Sequence, residues 1–521
     1  MLNLKTGNHQ SNMQHQFSQV PKADIQRSSF NRSHGYKTTF DAGLLVPFFC
    51  DEALPGDTFN VNVTAFSRLA TPIFPIMDNM FMDTQFFSVP IRLIWDNWKK
   101  FNGEQKNPGD STDFIIPQMV SPVGGYGIGT LSDYFGLPTG IAGLSHSALF
   151  HRAYNLIYNE WYRDQNLQQS LPVPTGDGPD LPANFVLQRR GKRHDYFTSS
   201  LPWPQKGPGV TIPLGTSAPI ASTGAVGSHI GIRDNTGVNR QLQANALSSP
   251  IVSGGINPNA TLFADLSGAT AATINSLRQA FQIQKIYERD ARGGTRYTEL
   301  LKSHFGVTSP DARLQRPEYL GGGSSPINIS PIPQTAASDA TSPQGNLAAI
   351  GTSTINRNGF TASFTEHCII IGIVSVRADL TYQQGLNRMW SRKTRFDFFW
   401  PALAHIGEQA VLQKEIFASG VPAADDKVFG YQERYAEYRY KPSQITGLFR
   451  STAAQSLDAW HLAQKFDTAP VLDSTFITEN PPVDRCIAVP SEPHFLFDSF
   501  IEMKCARPMP VYGVPGLIDH F

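Results

Sequence analysis

The sequence predicts a mainly β fold, an antiparallel sandwich whose strands lie far apart in the chain and are separated by long loop and helical insertions. Three observations predict it. Phe59, Val61, Val63 and Ala65 alternate with Asn60, Asn62 and Thr64, the period of two that turns one strand face inward and the other outward. Cys368 to Val376 is an almost unbroken apolar run, as suits a strand covered on both faces. Phe495, Phe497, Ser499, Ile501 and Met503 alternate with Leu496, Asp498, Phe500, Glu502 and Lys504 near the end of the 521 residues. Strands drawn from both ends of a chain form one sandwich only if the intervening segments leave and return at its corners.

Residues 1–35 read as an arm. Lys5, Lys22, Arg27 and Arg32, with His9, His15 and His34, stand against a single acid, Asp24. Apolar residues are too few there for a core, so only a partner surface would order the arm. A frayed terminus is the plainer alternative to an inward-facing arm near nucleic acid or a neighbouring subunit. Leu44–Val46 and Phe48–Phe49 form a short apolar run interrupted by Pro47, which fits an edge or a bend because proline removes a ladder donor. Pro55-Gly56-Asp57 then marks a turn before the strand at Phe59. Met80 to Trp95 is a further strand-like block.

Two helices are expected. In Ser147–Gln165, Phe150, Ala153, Tyr154, Ile157 and Trp161 share one helical face. From about Thr273 to Asp290, Ile274, Leu277 and Phe281 form a second stripe, ended by Gly293-Gly294, and a short helix follows from Tyr297 to His304. Such stripes are packing faces far more often than cofactor sites, because a helix must bury one side. Two long segments carry little charge. Between 207 and 272 only Arg233, Asp234, Arg240 and Asp265 are charged, and between 321 and 359 only Asp339 and Arg357. Both read as projecting surface loops, the first packed against its own copies around a symmetry axis. Tyr438 and Tyr440 alternate with Glu437 and Arg439, which reads as another strand.

The chain has 43 basic and 43 acidic residues and no formal net charge, so any contact with nucleic acid is local rather than a property of the whole surface. Its charged fraction of 17% is below the roughly 25% of an average domain, which suggests surface that lies against other protein. Cys50, Cys368, Cys486 and Cys505 are too scattered for a zinc knuckle, a redox pair or a disulfide framework and read as reduced thiols. Neither a secretory leader nor a membrane-spanning run is apparent, so the expectation is a soluble product without membrane insertion.

Catalytic patterns are sparse. No H-E-x-x-H is present, Gly143-Leu144-Ser145-His146-Ser147 lacks the final glycine of a nucleophile elbow, and Gly124 to Gly129 fits neither phosphate-loop spacing. No enzyme activity, cofactor or metal site is expected. The densest basic run is Arg189-Arg190-Gly191-Lys192-Arg193-His194, followed by Tyr196 and Phe197, a combination that suits phosphate contact and base stacking. An inter-subunit ion-pair surface or a solvated loop is the plainer alternative. Arg388, Arg392, Lys393 and Arg395, beside Trp390 and Phe396, form a second such run.

Several segments carry a resemblance. They include Phe17 to Ser28, Leu54-Pro55-Gly56-Asp57-Thr58-Phe59, Pro72 to Asp78, Lys192 to Thr198, Leu201 to Gly207, Arg316 to Gly322 and the closing Tyr512 to Phe521. In number and order they resemble the major capsid proteins of the Microviridae, most closely the gokushovirus-type branch. The resemblance implies an eight-stranded antiparallel viral jelly roll, here a single domain over 36–521. It implies a simple (T=1) icosahedral shell of identical copies around circular single-stranded DNA, assembled in the bacterial cytoplasm. Segment 207–272 would be the branch's protrusion at the threefold axes, and exposed loops would meet a host surface receptor. A small basic DNA-binding protein and a pilot protein would be further partners. Lys22, Arg27, Arg32, Arg189, Arg190, Lys192 and Arg193 are the candidate DNA-contacting residues. A trimeric phage spike or receptor-binding protein and, less well supported, a β-rich secreted hydrolase are the competing readings.

Overall fold

A computed structural model describes residues 26–211, 274–340 and 343–513, together with five short strands between 220 and 264. The chain divides into two units, one of residues 1–202, 309–401 and 410–521, the other of 203–308 and 402–409.

The first unit is built on one nine-stranded, wholly antiparallel sheet. In chain order its strands are β1 (Ser28–Asn31), β2 (His34–Phe40), β3 (Val46–Ala53), β4 (Thr58–Leu69), β5 (Met80–Pro90), β6 (Glu318–Pro333), β7 (Leu347–Ser363), β8 (Cys368–Ala378) and β9 (Phe495–Arg507). Across the sheet the order is β1-β9-β4-β7-β6-β5-β8-β3, and β2 also pairs with β9. β1 and β2 follow one another along that edge, Ser28 opposite Arg507 and Phe40 opposite Phe495.

The sheet doubles over. Phe48 on β3 meets Phe497 on β9 edge to face, with ring centroids 5.9 Å apart. In a flat sheet these strands would be six spacings, or about 29 Å, apart. The turn-over lies at β6 and β7. β6 pairs with β5 over Glu318–Ile327 and with β7 over Asn328–Pro333, while β7 continues along β4 from Thr352 to Ser363. Phe40, Phe48, Phe59, Phe86, Phe495 and Phe497 fill the enclosed core, and every second residue of β4 and β9 points into it. Removing each of these rings from water contributes about 1.5–3 kcal/mol.

β8 is buried on both faces, as its apolar run requires. Ile370, Val374 and Val376 enter the enclosed core, whereas Ile369, Ile371 and Ile373 pack outward under helix α1 (Leu149–Ile157). Ala153, Tyr154 and Ile157 form the buried stripe of α1, and the Tyr154 hydroxyl donates to the Leu45 carbonyl at 2.9 Å. The expected helix over 147–165 is therefore shorter. After Ile157 the turn widens to a π turn, with the Arg163 amide bonded to the Tyr158 carbonyl, and Trp161 is carried to the rings of Phe87 and Tyr319. A third cluster, around Phe197, Tyr382, Phe429 and Phe476, gathers segments that intervene between β5 and β6 and between β8 and β9.

Three further expectations change. The expected surface loop over 321–359 is mostly strand, β6 and β7, with residues 334–346 between them. Its glycines serve close strand approach: a Cβ on Gly359 would lie 1.9 Å from the Val61 carbonyl oxygen, and one on Gly322 2.0 Å from that of Thr84. The last part of the expected arm over 1–35 is strand, because Phe30 and its neighbours pair with β9 from Ser28 onward; residues 1–25, including Lys22, lie outside the described residues. Ala436–Tyr438 is a single 3₁₀ turn rather than a strand, because Tyr435 takes a left-handed backbone (φ +62°) that ends the extended run.

The second unit contains helix α2 (Ile274–Arg292) and helix α3 (Tyr297–Phe305). They meet through a hydrogen bond of 2.7 Å between His304 and Asp290, and Gly306, at φ +70°, ends α3. The stripe of α2 does not form a buried face: Ile274 and Phe281 are both exposed. Of 207–272, the described strands pair as Ile230–Arg233, Asn239–Ala244 and Pro250–Ser253 in one small sheet and as Ile220–Ser222 with Leu262–Ala264 in another. Apart from 207–211 and these strands, that segment, and with it the expected protrusion, lies outside the described residues.

Candidate nucleic-acid interface

The basic run 189–193 is zipped between two other segments. The Leu45 amide donates to the Gln188 carbonyl and the Arg190 amide to that of Gly43, while the Lys192 amide donates to Ile477 and the Glu479 amide to Arg190. This places neighbouring side chains in different surroundings. Arg190 turns toward the sheet, where its guanidinium donates to Asp83 at 2.7 Å and to the Ser375 hydroxyl at 2.8 Å. Arg377 reaches the same Asp83 oxygen at 2.8 Å. Burial alone would raise the Asp83 carboxyl, but a hydrogen bond from Ser324 and the two guanidinium groups hold it below the usual range. Arg193 is exposed and pairs with Asp379 at 3.0 Å.

Arg189 and Lys192 line an open cleft of about 1050 Å³. Arg189 donates to the Ala42 carbonyl at 2.8 Å, and Lys192 donates to Gln464 at 3.0 Å while its ammonium sits 4.6 Å from the centre of the Phe476 ring. Burial lowers the Lys192 ammonium to about 8, with Glu479 and Asp195 opposing the shift. Lys465 and Arg485 add two cations to the lining, Asp473 one carboxylate, and Tyr158 and Phe466 aromatic surface. Asp473 is engaged in capping, since its carboxylate accepts from the Phe476 amide at 2.8 Å. Four cations and one carboxylate line the cleft, with Lys465 also paired to Asp467 at 3.3 Å, and together with the aromatic lining they can hold phosphate and stack bases without reading their edges.

The structure thus brings Arg189 and Lys192 together and directs Arg190 into an internal ion pair. Arg27 and Arg32 belong to the β1 edge: Arg27 is exposed and donates to the Thr58 hydroxyl, and Arg32 makes a two-pronged pair with Asp51 at 2.5 and 3.0 Å. Lys465, Phe466 and Arg485 escaped sequence reasoning because no local pattern links them to residue 189.

The serine–histidine geometry does not resemble a hydrolytic site. Ser145 and Ser147 lie on a short strand, and the ring of His146 between them bonds the Tyr126 hydroxyl at 2.7 Å. His151 bonds Ser132 at 2.9 Å, but both are buried and the other ring nitrogen of His151 has no partner to orient it. Among the described residues no cluster of His, Cys, Asp and Glu is placed to hold a metal ion, and no helix is long and apolar enough to cross a membrane.

Comparison with known proteins bears on the whole chain. A family model described as "Capsid protein (F protein)" matches residues 18–517. The "Capsid protein VP1" of Bdellovibrio phage phiMH2K is 51% identical over 529 residues, covering 98% of each chain. That of Chlamydia phage 1 is 45% identical, covering 97% of this chain and 98% of its own, and that of Spiroplasma virus 4 is 36% identical, covering 96% and 97%. Identity at this level across nearly the full length of three proteins leaves one conclusion: the chain belongs to the capsid protein (F protein) family of the Microviridae and is a major capsid protein, a structural component of the virion and not an enzyme.

Proposed function

We propose that the folded-over sheet is an eight-stranded jelly roll and that the chain closes a T=1 icosahedral shell around circular single-stranded DNA. The observation that carries this reading is the strand order. If β1 and β2 count as one interrupted edge strand, then β1/β2-β9-β4-β7 and β6-β5-β8-β3 are two four-stranded halves facing each other across one core. Each half draws its strands from distant parts of the chain, which leaves the corner excursions free to meet neighbours. Copies related by closing rotations use different patches at each symmetry axis, and many modest contacts make the shell cooperative.

In this reading the cleft at Arg189 and Lys192 and the basic arm face the genome, and Arg and Lys side chains meet phosphate without reading sequence. Segment 207–272 forms the protrusion at the threefold axes, and the exposed loops contact the host receptor. The small basic DNA-binding protein and the pilot protein join from the interior, and assembly takes place in the host cytoplasm.

Purified full-length protein, examined by size-exclusion chromatography and negative-stain microscopy, is expected to give closed particles of one diameter. A stable trimer would support the spike reading instead, and a monomer indifferent to concentration would refute the shell. Charge reversal of Lys22, Arg27 and Arg32 is expected to lower packaged DNA more than particle yield. Equal loss of both would remove the arm from the DNA interface.

A further inference from the structure

We infer that residues 386–400, together with Tyr438, form a preformed face through which one copy of this chain docks on a second copy; the inference rests on the shell-forming reading above and names one of its contacts. The segment joins no strand of the main sheet and runs through two 3₁₀ turns, Arg388–Ser391 and Arg395–Asp397. Every residue from Lys393 to Trp400 is exposed in the single chain. Trp390 is 72% exposed, and Phe396, Phe398, Phe399, Trp400 and Tyr438 are each about half exposed.

Area argues for a protein partner. A large aromatic side chain offers about 200 Å² for burial, so six rings at half exposure or more leave roughly 600 Å² facing water. The largest apolar patch on an ordinary monomer is about 300–600 Å², and one side of a standard interface buries about 800 Å². These rings alone thus supply most of one side of a stable contact.

Five of the six rings gather in two groups around arginines three residues apart in the chain. Arg395 lies 4.7 Å from the Phe396 ring centre and 6.0 Å from that of Trp400, and Arg392 lies 5.3 Å from Phe398 and 4.3 Å from Tyr438. Phe399 packs edge to face on Tyr435 and Tyr438 at 5.3 and 6.5 Å. The patch is also held still. Asp397 accepts from the Thr394 and Lys393 amides at 2.7 and 2.8 Å, Asn387 accepts from the Met389 amide at 3.0 Å, and the Trp400 indole donates to the Arg395 carbonyl at 2.8 Å. Exposed aromatic residues fixed by caps lose little entropy on docking.

Charge separates this face from a nucleic-acid track. Of its four cations, Arg388 already bonds Glu415 at 2.9 Å, and Arg392 lies 3.7 Å from Glu437. Two of the four are thus engaged by internal acids, which halves the charge open to a phosphate track. Aromatic rings, Met389 and arginines held by internal acids are instead the composition of the buried centre of a protein interface.

The test compares wild type with Trp390→Ser/Phe396→Ser in the full chain, following particle formation by analytical ultracentrifugation and negative stain, DNA content by absorbance ratio and folding by circular dichroism. The variant is expected to melt like wild type and to need at least a tenfold higher concentration to assemble. Protection of 386–400 from hydrogen exchange in wild-type shells, relative to unassembled protein, is the second expected result and stands even if the variant folds poorly. Assembly of the variant at the wild-type concentration, or absence of that protection, overturns the inference and leaves the shell reading intact. Normal particles that have lost DNA overturn it in favour of a nucleic-acid surface. A wild-type chain that forms no particles refutes the shell reading itself and this inference with it.

Discussion

Replacing Arg152 with methionine should destabilise the unassembled protein by about 3–5 kcal/mol, the usual cost of stranding one partner of a buried ion pair. The guanidinium has no exposed side-chain surface and Asp180 has 3%. Two guanidinium nitrogens bind the two carboxylate oxygens at 2.6 and 2.7 Å, and the third donates to the Ile94 carbonyl at 3.0 Å. The Asp180 amide is itself bonded to the Gln118 carbonyl at 2.9 Å. One side chain therefore ties α1 to the turn after β5 and to the segment around Gln118. Methionine keeps the apolar stem but leaves the buried Asp180 carboxyl without its guanidinium partner.

The second step distinguishes loss of a contact from exposure of a charge. Arg152→Met/Asp180→Leu removes both ions, and an apolar pair of similar volume is often neutral relative to the ion pair it replaces. The double variant is expected to regain at least half of what the single variant loses. Urea unfolding followed by tryptophan fluorescence suits the measurement, because Trp95 is buried in the same cluster and bonds Asp177 at 2.7 Å. A single variant that loses less than about 1 kcal/mol, or a double variant less stable than the single, would refute the reasoning.

Two other predictions concern pH and strand approach. Burial, and then the neighbouring His146, lower the His151 imidazole to about 3, so the unfolded chain binds the extra proton below its own value of about 6.5. The His151 contribution is thus complete above about pH 6.5 and is lost as pH falls toward 3, at about 1.4 kcal/mol per pH unit. His151→Leu should flatten the slope of stability against pH between about 6.5 and 4.5 by close to one proton, and an unchanged slope would sink the assignment. Gly359→Ala should prevent recovery of soluble folded protein, because its methyl would meet the Val61 carbonyl oxygen at 1.9 Å. Recovery of soluble protein with a wild-type melting curve would contradict that strand spacing.

The strands legible in the sequence are those whose burial is periodic. β4 and β9 alternate, and β8 is apolar from Cys368 to Val374 because one face meets the enclosed core and the other meets α1. β6 and β7 were not legible, although they form the turn-over of the sheet. Their glycines and serines imitate a loop in one dimension, yet at Gly322 and Gly359 a neighbouring strand leaves no room for a side chain. The stripe of α2 was legible as a helix, but its pattern gave no information about what covers it.

Charge misled in a related way. A run of cations read along the chain is indistinguishable from a phosphate-binding patch, because the acids that answer it lie elsewhere in sequence. Arg190 finds Asp83 at a separation of 107 residues, and Arg193 finds Asp379 at 186. Fold closure brings these partners together and leaves Arg189 and Lys192 at the cleft. The same logic governs where charge lies in the folded chain. Internal ion pairs such as Arg152–Asp180 and Arg190–Asp83 withdraw charge from the surface, while rings such as Trp390 and Phe396 remain exposed there. For a protein that worked alone, that distribution would be a hazard of non-specific association. For a capsid subunit it follows from the fold: acids and bases neutralise each other within one copy, and apolar surface is reserved for the next.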